Sequence, residues 1–180
     1  MITRFKKNAE LNRPDADTFR NQEKMPVVVV LDNVRSGLNT GSVFRSADSF
    51  MAERIFLCGI TASPPDKEVL KSALGATETV VWKHYQNTRD AVLELKNEGY
   101  IIYAVEQAEG AMMLSELSLE ANQKYAIIFG HEVKGVDDAL IPLIDGCIEI
   151  PQSGTKHSLN VAVCAGVVLW KFYEKLQLNQ

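Results

Sequence analysis

Residues 27–31 read Val-Val-Val-Val-Leu, an unbroken aliphatic run in which no alternate position is polar. A strand with one wet face alternates apolar and polar side chains. A run like this one has to be covered on both faces, as in a parallel sheet flanked by helices. Similar runs recur at 54–58, 79–82, 100–105, 125–129 and 147–150, and helical spacing fills the segments between them at 39–51, 66–74, 88–97, 137–144 and 158–176. Strands alternating with helices predict an α/β fold with a mainly parallel sheet. The chain has 180 residues, 46% of them hydrophobic, which suits one core and leaves no room for a second full domain. Residues 1–25 lack a sustained hydrophobic period and contain Pro14, so they predict a polar arm with at most one short helix, ahead of a domain spanning 26–180.

Composition removes several classes of function. Cys58, Cys147 and Cys164 lie singly in apolar stretches, without the paired spacing of a disulfide framework or a zinc site, and predict core thiols and no bound metal. The first ten residues carry Arg4, Lys6 and Lys7 and no apolar run, unlike a secretory leader. The most apolar stretch, 159–170, is interrupted by Asn160 and is shorter than the roughly 20 residues that span a bilayer. No membrane association and a cytoplasmic location are therefore expected. Net charge is −4, the wrong sign for holding nucleic acid by a global field, so any RNA contact must be local. The first 25 residues hold six of the 19 basic and four of the 23 acidic side chains, which puts the basic bias on the arm.

Ligands of parallel sheets bind where strands end and helices begin. Three such turns stand out. Residues 32–45 leave the first strand and enter a helix, with Asn39 as candidate N-cap, Val43, Phe44, Ala47, Phe50 and Met51 as buried stripe, and Arg45 off that stripe. Residues 129–136 set Gly130, Glu132 and Gly135 after a buried strand, with spacing unlike a dinucleotide fingerprint. Residues 150–160 run from a strand end to a helix start, with Ser158 as candidate N-cap over free amides suited to an anion. Capping by Ser158 leaves Asn160, a polar amide in an apolar face, without an account. The final helix is apolar round most of its circumference, from Leu159 to Tyr173, which implies burial against a partner subunit or between two layers of one chain.

Taken together and in order, the three turns resemble the motifs of the SpoU (TrmH-like) branch of the SPOUT superfamily of RNA methyltransferases. Asn39, Gly41 and Arg45 match its Asn-x-Gly-x-x-x-Arg; Gly130, Glu132 and Gly135 match its Gly-x-Glu-x-x-Gly; Ile150, Pro151, Ser158, Leu159, Asn160 and Val161 match its Ile-Pro and Ser-Leu-Asn-Val. The resemblance covers about 26 to 175. It implies a C-terminal part threaded into a deep trefoil knot, which no pattern argument would reach. It also implies a homodimer, and S-adenosylmethionine held near Val105, Gly130, Ile150, Ser158 and Leu159. His131 departs from the asparagine or proline that relatives often carry there.

The implied reaction moves a methyl group to a ribose 2′-hydroxyl of RNA, with transfer RNA expected over ribosomal RNA because only about 25 residues precede the first strand. By the same resemblance Arg45 sits beside the hydroxyl, and Asn39, Glu132, Ser158 and Asn160 order Arg45 and the donor loop. A guanidinium stays protonated, so Arg45 is expected to clamp a phosphate and stabilise developing negative charge rather than to act as base. Lys156 and His157 are candidates to touch RNA phosphate. A rival reading is a catalytically silent RNA-binding or assembly protein of the same fold. Another, a generic nucleotide-binding protein, lacks its phosphate loop.

Overall fold

The structure, a computed structural model, describes residues 2, 4–7 and 10–178; residues 1, 3, 8 and 9 of the arm and the last two of the domain lie outside the described residues. Seven parallel strands form one sheet. They are β1 (Met25–Asp32), β2 (Ala52–Cys58), β3 (Val81–Tyr85), β4 (Tyr100–Val105), β5 (Met112–Met113), β6 (Lys124–Phe129) and β7 (Gly146–Glu149), in the spatial order β3-β2-β1-β6-β4-β7-β5. The helices are α1 (Ala16–Asn21), α2 (Gly37–Ser49), α3 (Lys67–Ala73), α4 (Ala76–Thr79), α5 (Thr88–Asn97) and α6 (Val161–Tyr173).

The valine run behaves as its composition demands. Val27, Val29 and Leu31 pack into a core shared with Phe44, Ala165, Leu169 and Phe172 of α2 and α6, while Val28 and Val30 pack with Val92 and Leu95 of α5 on the other face. Both faces are dry, and each buried Val or Leu adds roughly 1.5–3 kcal/mol of transfer free energy. From β1 the chain winds outward to β2 and β3, then crosses back to build β4, β6 and β7 on the other side. The winding therefore reverses beside β1, and on the far side of that reversal the ends of β4, β6 and β7 open around one cavity, at the strand ends where such sheets bind ligands.

Element boundaries moved where local polar chemistry overrides hydrophobic period. Helix α2 starts at Gly37, because Ser36 Oγ accepts from Asn39 N and is the cap. Asn39 is thus inside the helix, not its N-cap. Ser158 is no cap either: α6 begins at Val161, and Asn160 Oδ1 accepts from Ala162 N and Val163 N. The segment expected as a helix over 137–144 is a 3-10 turn, Asp138–Leu143, with Pro142, which has no amide hydrogen to donate, inside it. The expected strand at 79–82 is displaced to β3, because Ala76–Thr79 is a turn of helix. The two-residue β5 is too short to show in a pattern. In the arm, α1 is capped by Asp15 and lies against the domain through buried Phe19 and a bond from Arg20 Nε to the Glu78 carbonyl, 2.9 Å.

Candidate active site

Each of the three turns delivers one member of a continuous hydrogen-bond chain. Backbone amides at the start of α6 donate to Asn160 Oδ1 (2.9 Å from Ala162 N). Asn160 Nδ2 donates to Asn39 Oδ1 at 3.1 Å, and Asn39 Nδ2 donates to Glu132 Oε1 at 3.0 Å. An asparagine is suited to each middle position, since its carboxamide accepts through oxygen and donates through nitrogen at once. The chain runs from the positive end of a helix to a carboxylate, so each bond polarises the next in the same sense.

Glu132 is the hub. Its carboxylate also accepts from Arg35 N at 3.0 Å and Ser36 N at 3.2 Å, and the Arg35 guanidinium stands 4.0 Å away. Burial alone would raise its pKa, but the amides of Arg35, Glu132 and Ser36 and the Asn39 carboxamide outweigh burial and hold it below the usual carboxylate range. The same bonds make the Glu132 carboxylate the group that fixes the turn after β1.

The glycines around Glu132 have steric causes. His131 and Gly135 exchange backbone hydrogen bonds of 3.0 and 2.8 Å, folding the turn so tightly that a Cβ on Gly130 would lie 2.1 Å from the Gly135 carbonyl carbon. Gly135 has φ +73°, and a Cβ there would lie 2.4 Å from Glu106 Oε1. The His131 Nδ1 accepts from Val133 N (3.0 Å) and Lys134 N (3.2 Å) and so braces the turn.

A cavity of about 380 Å³ lies behind this turn. Val105, Gly130, Ile150, Ser158 and Leu159, the residues expected around the donor, all line it, as do Glu132 and Asn160. Its wall also contains four residues that the sequence reading missed: Glu106, Gln107, Glu149 and Cys164. Glu106 accepts from Val136 N and Gln107 N, and Gln107 Nε2 donates to the His157 carbonyl at 2.9 Å, so adjacent residues at the end of β4 tie together the other two loops of the cavity. The signal was present, since Glu106 directly follows a buried strand just as Glu132 nearly does. Burial pushes the Cys164 thiol up to about 11, so it stays an uncharged wall group.

Arg45 stands apart. It is exposed on α2, it has no hydrogen-bond or ion-pair partner among the described residues, and it does not line the cavity. It borders a separate groove between α2 and α6, with Ser42, Phe50, Val163, Val167 and Trp170. Among the described residues no helix is long and apolar enough to cross a membrane, and no group of three or more His, Cys, Asp or Glu is gathered as a metal would need.

The cavity suits an adenosyl sulfonium. Val105, Phe129, Ile150, Leu159 and Val161 offer apolar surface for a flat base, and the lining holds three glutamates and no lysine or arginine. Comparison with known proteins points the same way. Residues 26–170 match the SpoU rRNA Methylase family. A 23S rRNA (guanosine-2′-O-)-methyltransferase, RlmB, of Vibrio cholerae serotype O1 is 29% identical over all of this chain and 72% of its own length. An AdoMet-bound rRNA methyltransferase from Sinorhizobium meliloti superposes with a TM-score of 0.79 at 26% identity, over 88% of this chain and 60% of that one. The A. aeolicus TrmH/SpoU tRNA modifying enzyme shares the fold, with a TM-score of 0.79 at 22% identity over 91% of this chain and 83% of that one. The chain belongs to the SpoU family of S-adenosylmethionine-dependent RNA methyltransferases.

Proposed function

We propose that this protein methylates a ribose 2′-hydroxyl of RNA, working as a homodimer on transfer RNA in the cytoplasm. The observation that carries the reading is the chain Asn160–Asn39–Glu132, which locks the three motif turns together at the mouth of a cavity fit for the donor. Membership of the family also brings the expected trefoil threading of the C-terminal part into the proposal.

When bound, the donor supplies a methyl group on a positively charged sulfur. The transfer forms a carbon–oxygen bond at the 2′-position, breaks the carbon–sulfur bond and releases the hydroxyl proton, which an RNA phosphate or water takes. The protein's part is positioning and electrostatics. Val105, Gly130, Ile150, Ser158 and Leu159 hold the donor; Asn39, Glu132 and Asn160 keep its loops in place. Arg45 clamps a phosphate beside the reacting ribose. Its place outside the cavity of its own chain fits a site completed at the dimer interface, because the groove it borders carries the exposed face of α6. Val163, Val167 and Trp170 on that face are 54, 39 and 46% exposed, while Ala165, Val168, Leu169 and Phe172 on the other are fully buried.

A second reading, ribosomal RNA as substrate, is favoured by the activity of the Vibrio relative, a 23S rRNA (guanosine-2′-O-)-methyltransferase. Transfer RNA is supported by the basic bias of the arm, whose helix α1 sits against the domain with Arg13 and Arg45 bordering one common cleft. The test is methyl transfer from labelled S-adenosylmethionine to transfer RNA and, separately, to ribosomal RNA from cells lacking the protein. Label that blocks alkaline cleavage at one site in transfer RNA is the expected result; label confined to ribosomal RNA selects the second reading. Arg45→Ala should nearly abolish transfer with donor affinity within about twofold, and loss of donor binding with transfer intact at saturation refutes its role.

A further inference from the structure

Three carboxylates, Glu106, Glu132 and Glu149, line the cavity, and no lysine or arginine does. No lysine or arginine of the three turns, neither Arg35, Arg45, Lys134 nor Lys156, is among the lining residues. Arg35 sits 4.0 Å from Glu132 with its side chain 59% exposed, Lys134 borders the adjacent groove with Asp137 and Asp138, and the first amides of α6 are taken by Asn160 Oδ1. His131 faces loop amides through the Nδ1 lone pair. Glu106 and Glu132 are partly compensated by the amides they accept. The Glu149 carboxylate, at the end of β7, has no hydrogen-bond or ion-pair partner among the described residues.

We propose that Glu149, reinforced by Glu106 and Glu132, makes this cavity select the charged methyl donor over its demethylated product. The inference rests on the cavity being the donor site and adds how that site discriminates. Donor and product differ by one methyl group and by one positive charge on sulfur; every other group is shared. The ratio of their affinities is therefore set chiefly by the potential at the sulfur, and three glutamates with no lysine or arginine among the lining residues bias that potential negative. Glu149 is the uncompensated charge and contributes the largest removable part. The functional consequence is product expulsion: once the methyl group has left, the attraction that held the donor goes with it.

Calorimetric titration of S-adenosylmethionine and S-adenosylhomocysteine into the full chain at neutral pH tests this. Glu149→Gln should weaken donor binding about 5-fold, the size expected of one partly screened charge several ångströms away, and leave product binding within about twofold. Glu149→Asp, which keeps the charge, should keep the wild-type ratio. Added salt should weaken the donor and spare the product in the unaltered protein, which tests the idea without any substitution. Equal loss for both ligands, or loss for neither, overturns the proposal while leaving the donor site in place. If neither ligand binds the unaltered protein, the donor reading falls and this inference with it.

Discussion

At Glu132 one carboxylate terminates three backbone and side-chain donations from a turn almost a hundred residues away in sequence. Its folded pKa is depressed, so the stability it adds is complete above the ordinary carboxylate range and fades as pH falls through the lowered value. Glu132→Gln keeps the shape but removes the charge and turns half of the acceptor into a donor facing amide hydrogens. It should cost about 1–3 kcal/mol in urea unfolding at pH 7. The gap between variant and wild type should close on acidification below the carboxylate range; a gap independent of pH excludes the charge as the cause. Residue types after buried strands singled out Glu132 and Asn39, which the fold brings within hydrogen-bond distance of each other. The caps were misassigned because Ser36, Asn39, Ser158 and Asn160 are all competent N-caps, and only the fold decides which of them faces a free helix end.

Between elements, the motif glycine at 41 proves to be a packing residue. Helix α2 crosses α3 so closely there that a Cβ on Gly41 would lie 2.3 Å from the Val69 carbonyl oxygen and 2.9 Å from Ala73 N, both of them backbone. Backbone cannot swing aside as a side chain can. Gly41→Ala should therefore destabilise by about 1–3 kcal/mol despite alanine's better helix propensity, and displace Asn39 and Arg45, which share α2. A thermal midpoint equal to or above the wild type's would show that the helices separate at no cost. This contact was invisible in the sequence, where Gly41 reads as a mid-helix defect. The doubly buried strands and the long helices were legible because hydrophobic period is strong over five or more residues. The edges were not: β3, with Val81, Lys83 and His84 exposed, carries little burial signal, and β5 spans two residues.

For the molecule as a whole, the apolar excess of α6 allowed two explanations in the sequence, two layers of one chain or a partner subunit. The structure buries one side of the helix against the sheet and leaves Val163, Val167 and Trp170 uncovered, with Trp170 also in contact with Phe50 at a ring-centroid distance of 5.9 Å. An uncovered aliphatic and aromatic strip on an otherwise charged chain is a surface that association would bury. If a second copy covers it, Trp170→Glu sets a carboxylate in the middle of that contact, and light scattering should find the mass of one chain where the unaltered protein gives two. Arg45→Ala should leave the mass at two chains, because its exposed guanidinium stands at the groove's polar border. The Trp170→Glu variant should also lose methyl transfer. A Trp170→Glu protein that keeps both the dimer mass and the activity moves the interface off α6 and leaves Arg45 to act within its own chain.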